Sequence, residues 1–349
     1  MHNPVLLATS TALPPVQVTQ PMAREYASHM FEGKLSRLDK LLGVFDHAEI
    51  ETRYVCEPPE WWTKPKGFAE KNNTYIHWAT KLAEEVSQGV FDQSGVSPDV
   101  VDAVIFTSST GLSTPSIDAR LVDKLGLNPH VRRMPLWGLG CAGGAMGLAR
   151  ARDFIAANPS ATVLVIAVEL CSLTFLFHDF SIQNLVALAL FGDGAAAVLL
   201  RGDGEGPRLK ASRGTTWPSL ADAAGWTILD EGMQVVFARE LPGITRDHAG
   251  GDIMDFLQEN DKSLADIDHF IFHPGGVKVM EAYEEALGLP STALDRTKRI
   301  MRRIGNVSSP TVLFVLDDLL RDAAANSGTA LIHALGPGFS SENLLLEIG

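Results

Sequence analysis

Val101-Asp-Ala-Val-Ile-Phe106 and Ile267-Asp-His-Phe-Ile-Phe272 are two versions of one short apolar string, and their likeness decides the fold. Both are β-rich and read as buried strands. From Phe106 to Gly140 is 34 residues, and from Phe272 to Gly305 is 33. Gly140-Cys141 then opens one helical segment and Gly305-Asn306 another. Each helix leads to a further apolar run, Ala161–Val168 in the first case and Gly328–Leu335 in the second. Ala145, Leu148, Ala149 and Phe154 form an apolar face on one helix; Leu313, Phe314, Leu316, Leu319 and Leu320 form it on the other. Ser308-Ser309-Pro310 is a start signal, with proline where its missing N–H costs nothing. Upstream, His77–Phe91 carries Trp78, Leu82 and Val86 at helical spacing. Four elements recurring in order at matched spacing indicate a duplicated chain. Strands alternating with helices imply mostly parallel sheets covered by helices. The halves are expected over residues 1–205 and 206–349, with the site where equivalent loops converge.

The totals agree with an ordinary globular enzyme. The chain has 349 residues, 46% hydrophobic and 20% charged. A net charge of −13 argues against nucleic acid, whose binding rests on phosphate neutralisation. No apolar run approaches the ~20 residues that span a bilayer, and the N-terminal stretch lacks the basic region of a secretory signal. Three scattered cysteines, Cys56, Cys141 and Cys171, make no disulfide framework and fit a reducing, cytoplasmic setting. No zinc-ligand spacing or G-x-x-x-x-G-K loop is present, so neither metal nor cofactor is expected.

Within Gly138-Leu-Gly-Cys-Ala-Gly-Gly144, Cys141 stands at a helix start, where the macrodipole favours thiolate. The flanking glycines allow a substrate close to the backbone. Cys171, with no glycines around it, reads as a small buried hydrophobe. Gly138, Gly140 and Gly143 also match G-x-G-x-x-G, with Glu169 beyond. That dinucleotide reading is weak, because Arg132-Arg-Met-Pro135 is a poor buried strand and the second half goes unexplained. His273 in Phe272-His-Pro-Gly-Gly276 ends a strand, where it could pair with a thiolate or donate to a carbonyl. Asn306 in Gly305-Asn-Val-Ser-Ser309 is the repeat equivalent of Cys141. In isolation it is a helix cap; in a shared site its amide could stabilise an enolate or oxyanion. Ala334–Phe339 offers backbone N–H groups after the final strand, Phe191–Gly194 reads as a hairpin or tight turn, and Asp193 as structural. Arg296, Lys298, Arg299, Arg302 and Arg303 read more readily as a solvated helix face than as a phosphate site.

These stretches, together with Val168-Glu-Leu170, Leu190–Ala197, Pro242-Gly-Ile244 and Gly336-Pro-Gly338, resemble the thiolase superfamily. Within it they are similar to bacterial type III, chalcone/stilbene synthase-like polyketide synthases. The resemblance spans nearly the whole chain. It implies a duplicated five-layer αβαβα fold, a homodimer and a Cys141–His273–Asn306 triad. It further implies that an acyl-CoA starter loads Cys141 and is extended with malonyl-CoA by decarboxylative condensation, then cyclised. Phe191 matches an aromatic gatekeeper, and Val235 falls where plant members carry a second one. Thr114 stands where they place a methionine reaching into the partner's cavity. Thr174, Gly336, Gly338 and Ser308 complete the expected substrate-binding set, and Arg53 is a weak candidate for CoA phosphate. Glu169 and Ser308 match a hydrogen-bond network tied to ring closure. The smaller residues at 114 and 235 imply an open cavity, a medium or long fatty acyl starter and an alkylpyrone- or resorcinol-type product. Three rival readings remain: a ketoacyl-carrier-protein synthase III with the same triad, a papain-like hydrolase without that family's cysteine signature, and a catalytically idle dimer partner.

Overall fold

A computed structural model describes residues 3–325 and 327–349. Nine strands form one sheet: β1 Val5–Ala12, β2 Ala103–Thr107, β3 Arg132–Leu136, β4 Thr162–Leu170, β5 Asp193–Arg201, β6 Arg208–Thr216, β7 His269–Phe272, β8 Gly328–Gly336 and β9 Ser340–Ile348. Their order is β7-β8-β9-β6-β1-β5-β4-β2-β3. Outward from the central β6–β1 contact, where Val5 pairs with Arg208, the two sides run alike. β1-β5-β4-β2 on one side matches β6-β9-β8-β7 on the other, and each corresponding pair has the same sense. The repeat is therefore a pseudo-twofold duplication. Among the described residues, β3 has no counterpart in the second half.

The expectation of mostly parallel sheets is wrong: among the eight pairings of this sheet, five are antiparallel. The cause is a strand that the apolar runs concealed. Gly328–Leu335 is not the last strand; Gly336–Phe339 turns the chain straight back into β9, antiparallel to β8. Phe191–Gly194 is likewise no hairpin, but links helix Ile182–Leu190 to β5. Arg132–Leu136 is a strand after all. It lies at the sheet edge, partly exposed, where proline removes no ladder hydrogen bond.

Alternation along the buried strands separates the layers. On β4, Val163, Val165 and Ala167 face helices Gly143–Ala157 and Thr311–Leu320, while Leu164, Ile166 and Val168 face helices Phe68–Ser94 and Ile117–Leu125. On β8, Ala330, Ile332 and Ala334 meet the same two central helices, and Leu331 and Leu335 meet helices Gly250–Glu259 and Val277–Leu287. The result is the five-layer αβαβα arrangement. Each fully buried Val, Leu or Ile contributes about 1.5–3 kcal/mol, so the central layer is the principal store of stability. Among the described residues, no helix is long and apolar enough to cross a membrane.

Candidate active site

The two repeat loops meet at the centre of the molecule. Gly140–Ala142 forms a single 3-10 turn that runs into helix Gly143–Ala157, so Cys141 sits just ahead of the helix N-terminus. Asn306 is differently placed. Its helix begins only at Thr311, and the intervening chain stays irregular. The Asn306 Oδ1 accepts from Ser308 N at 2.8 Å and from Thr311 Oγ1 at 3.4 Å. This is a local turn rather than a helix cap. It directs the amide N–H groups the other way, where one approaches Gly275 O at 3.5 Å. The expectation that Gly305-Asn306 directly opens a helix is corrected accordingly.

Glycine makes the close approach of the loops feasible. A Cβ on Gly144 would lie 2.3 Å from the Ser309 carbonyl oxygen, and one on Gly143 2.4 Å from Thr107 Oγ1. Gly140 has φ +47° and packs on Pro337, while Gly336 packs on Leu139 and Ala142. These contacts explain Gly140 and Gly143 of the G-x-G-x-x-G string without a dinucleotide, and Gly138 serves its positive φ of +87°. Glu169 is fully buried within the same joint: its carboxylate accepts from Ser109 N at 2.9 Å, Thr110 Oγ1 at 2.8 Å and Ser309 Oγ at 2.9 Å. Burial pushes its pKa up to about 7.

A cavity of about 430 Å³ is lined by Cys141, His273, Asn306 and Ser308 together. The Cys141 Sγ lies 3.4 Å from Ser308 Oγ. His273 follows β7, is 3% exposed, and has no hydrogen-bond partner at either ring nitrogen among the described residues. A buried imidazole with both nitrogens unmet is costly unless a ligand meets them. Burial pushes the Cys141 thiol up to about 11 and, with His333 nearby, pulls His273 down to about 3. The helix N-terminus acts on the thiol in the opposite sense. Burial thus favours the neutral thiol and the neutral imidazole, while the helix N-terminus favours the thiolate.

A second cavity of about 160 Å³ adjoins the first. Phe191, Val235 and Cys171 line both and form the boundary between them. Phe191 is held there because its neighbours hydrogen-bond to Asn306: Asn306 N donates to Leu190 O at 2.9 Å and Gly192 N to Asn306 O at 3.0 Å. Thr174 lines the second cavity and Gly336 the first. Gly338 lines neither. Thr114 is exposed and lines neither cavity of its own chain. Cys171 is buried as expected, but its place on the boundary was invisible in sequence because nothing local marks it.

Arg53 is not a surface phosphate ligand. It is 3% exposed and its guanidinium donates to Leu188 O, Gln20 Oε1 and Ala189 O. The basic run 296–303 is largely an ion-paired helix face: Arg296 meets Asp318 and Asp322, Arg299 meets Asp318, and Lys298 meets Glu284. His47, Arg239 and Lys278 line the larger cavity instead, which sequence reasoning missed because they are far apart in the chain. Asp193 is structural, accepting from Cys56 N at 2.9 Å, Ser172 N at 2.8 Å and Ser172 Oγ at 2.6 Å.

Comparison with known proteins matches this architecture along its whole length. The family described as chalcone and stilbene synthases matches with its N-terminal domain over residues 2–204 and its C-terminal domain over residues 208–348. A Bacillus subtilis (strain 168) protein named as a candidate chalcone synthase is 41% identical, over 98% of both chains. The Mycobacterium tuberculosis protein "Alpha-pyrone synthesis polyketide synthase-like Pks18" is 26% identical over 99% of this chain and 91% of its own. The crystal structure of 1,3,6,8-tetrahydroxynaphthalene synthase from Streptomyces coelicolor A3(2), described as a bacterial type III polyketide synthase, superposes with a TM-score of 0.95 at 26% identity, covering 99% of each chain. The chain belongs to the chalcone and stilbene synthase family and is a type III polyketide synthase, a condensing acyltransferase of polyketide biosynthesis.

Proposed function

We propose that this synthase loads a medium or long fatty acyl group from acyl-CoA onto Cys141, extends it with malonyl-CoA and closes an alkylpyrone- or resorcinol-type ring. The observation that carries the starter assignment is the second chamber. It continues the Cys141 cavity past Phe191 and Val235, with Val18, Met22, Val55 and Leu188 in its wall, so an acyl chain could extend there. Val235 in place of a bulkier aromatic keeps that passage wide.

The residues support a stepwise chemistry. Neutral His273 accepts the Cys141 thiol proton as the starter thioester is attacked and passes it to the departing sulfur, so that CoA leaves as the free thiol and His273 is neutral again. Malonyl-CoA then places its thioester carbonyl between a His273 N–H and the Asn306 amide. These neutral donors stabilise the enolate formed as the C–C bond to the carboxylate breaks and CO₂ leaves. The enolate carbon attacks the Cys141 thioester and the C–S bond breaks, releasing the Cys141 thiolate and leaving the extended chain on CoA. The thiolate then attacks that thioester, and CoA leaves before another round. Arg239 and Lys278 supply positive charge for anionic CoA thioesters in a chain that is otherwise acidic. A homodimer is part of this proposal: Leu112 and Trp137, 42% and 50% exposed, lie on or against the Gly111–Thr114 segment, Trp137 Nε1 donating to Gly111 O at 3.2 Å, and exposed Thr114 would then face the partner.

A starter screen with product mass spectrometry tests the assignment. Fatty acyl-CoA starters are expected to give extended pyrones or resorcinols, with malonyl-CoA accepted free of a carrier protein. Extension of only aromatic or very short starters would contradict the open passage. Strict dependence on malonyl-carrier protein would favour the ketoacyl synthase type, and no covalent loading by any starter an idle homologue.

A further inference from the structure

β7, which delivers His273, is four residues long and lies at the sheet edge, with β8 as its only strand neighbour among the described residues. Its first-half counterpart β2 is flanked on both sides, by β3 and β4. Among the described residues the second half lacks the equivalent of β3, so β8 is the only strand beside His273, and the one further hold on the strand end is Thr297 Oγ1 donating to Phe272 O at 3.2 Å. His273 N donates to His333 O at 2.8 Å, and Phe272 pairs with His333. At the corresponding sheet position in the first half, Phe106 pairs with Ile166, a buried apolar residue. A histidine, fully buried, has therefore replaced an aliphatic side chain at the position that braces the strand of His273.

The His333 ring is satisfied on both nitrogens. Nδ1 is 2.7 Å from Asn343 Oδ1, and Nε2 is 3.0 Å from the Tyr283 hydroxyl. Asn343 Nδ2 donates to Asp252 Oδ2 at 2.7 Å, which leaves its oxygen facing His333. That fixes the tautomer: Nδ1 carries the proton, and Tyr283 O–H donates to Nε2. Asp252 anchors the chain, accepting also from Ser341 Oγ at 2.7 Å, Thr215 Oγ1 at 2.6 Å and Arg213 Nη2 at 3.0 Å. At the other end, Tyr283 lines the Cys141 cavity. The Phe272 ring packs against both Tyr283 and His333, with centroids 5.1 Å and 5.2 Å away.

We infer that Tyr283–His333–Asn343–Asp252 is a directional hydrogen-bonded chain that positions His273, replacing the lateral support of the missing strand. Its members are positioning residues, acting through Phe272 and the β7 backbone rather than by touching the substrate. The inference rests on the reading of His273 as the histidine that holds the malonyl carbonyl. An imidazole held less rigidly still lets malonyl-CoA bind, but loses the contact that strengthens as the enolate forms.

The test is steady-state malonyl-CoA decarboxylation by the full-length protein, with thermal midpoints measured in parallel. His333→Phe, which keeps a ring but no hydrogen bonds, is expected to lower kcat about tenfold with KM changed less than about twofold. His333→Gln, whose amide can donate towards Asn343 and accept from Tyr283, should recover kcat to within about threefold of the native rate even where its thermal midpoint stays low. Tyr283→Phe should lower kcat in the same direction and add less than about twofold to His333→Phe. A native kcat in His333→Phe, no recovery in His333→Gln, or full multiplication of the two single effects overturns the inference. Should His333→Phe fail to fold, Tyr283→Phe alone decides, a native kcat being the contrary result. His273→Ala separates the two levels. If it decarboxylates at the native rate, the reading of His273 falls and the inference with it; if it is inactive while the His333 and Tyr283 variants are native, only the inference falls.

Discussion

Gly140–Gly144 and Gly305–Ser309 occupy equivalent places in the two halves, yet they are built for different work. The first is taut. Its glycines let it press against Thr107 and Ser309, and Cys141 ends beside a helix N-terminus. The second is slack. Serines replace the paired glycines, the helix starts later, and the freed segment turns Asn306 so that its donors face Gly275. The strand ends differ in the same way: where the first half has Thr107, packed beneath Gly143, the second has His273 with both nitrogens unmet. On the proposed chemistry, small departures from a symmetric frame make one loop the carrier of the nucleophile and let Asn306 of the other donate to the malonyl carbonyl.

The largest expected effect comes from removing what only the first loop provides. Cys141→Ala should abolish acyl loading and lower polyketide formation about 10⁴-fold or more, measured by product chromatography. Asn306→Ala should break the other half of the comparison, reducing malonyl-CoA decarboxylation about 10²–10³-fold while starter loading stays near native. The contact between the loops is tested by adding the second loop's Cβ to the first. Gly144→Ala meets backbone and should cost about 1–3 kcal/mol in denaturant unfolding, more than Gly143→Ala, which meets a side-chain hydroxyl that can rotate. A loss ordered the other way would mean the loops move apart freely.

The smallest effect concerns a side chain in the second half's last strand. Glu342 is buried, with one oxygen unpartnered, and burial raises its pKa from 4.5 to about 7. A carboxyl raised in the folded state binds its proton more tightly there, so stability falls as pH rises from about 4.5 towards 7 and stays low above. Glu342→Gln should therefore raise the thermal midpoint by a few degrees at pH 8, on the order of 1–2 kcal/mol, and by little or nothing at pH 4.5. An equal gain at both values would show that packing, not charge, sets the effect.

Much of this was legible because it was written in local strings. The paired strands at Val101–Phe106 and Ile267–Phe272, the helix starts and the Cys141, His273 and Asn306 loops all announce themselves through apolar runs bounded by glycine. What failed to show depends on partners distant in the chain. β3 carries two arginines and a proline because it is an edge, and edges do not look like cores. β9 was hidden behind a tight hairpin, so strand direction was misjudged. Arg53 reads as an exposed cation until helix Ile182–Leu190 covers it and claims its donors. The Tyr283–His333 pair was invisible for the same reason: neither residue is notable until β8 and helix Val277–Leu287 are packed together.

The division of labour between the two loops can be read directly by intact-protein mass spectrometry with peptide mapping. Wild-type protein and Asn306→Ala are incubated with a fatty acyl-CoA, then with malonyl-CoA, while released CO₂ is followed. The account predicts that both carry the acyl group on Cys141, and that only the wild type releases CO₂ and elongates it. Acylation at another residue, or native CO₂ release from Asn306→Ala, would contradict it.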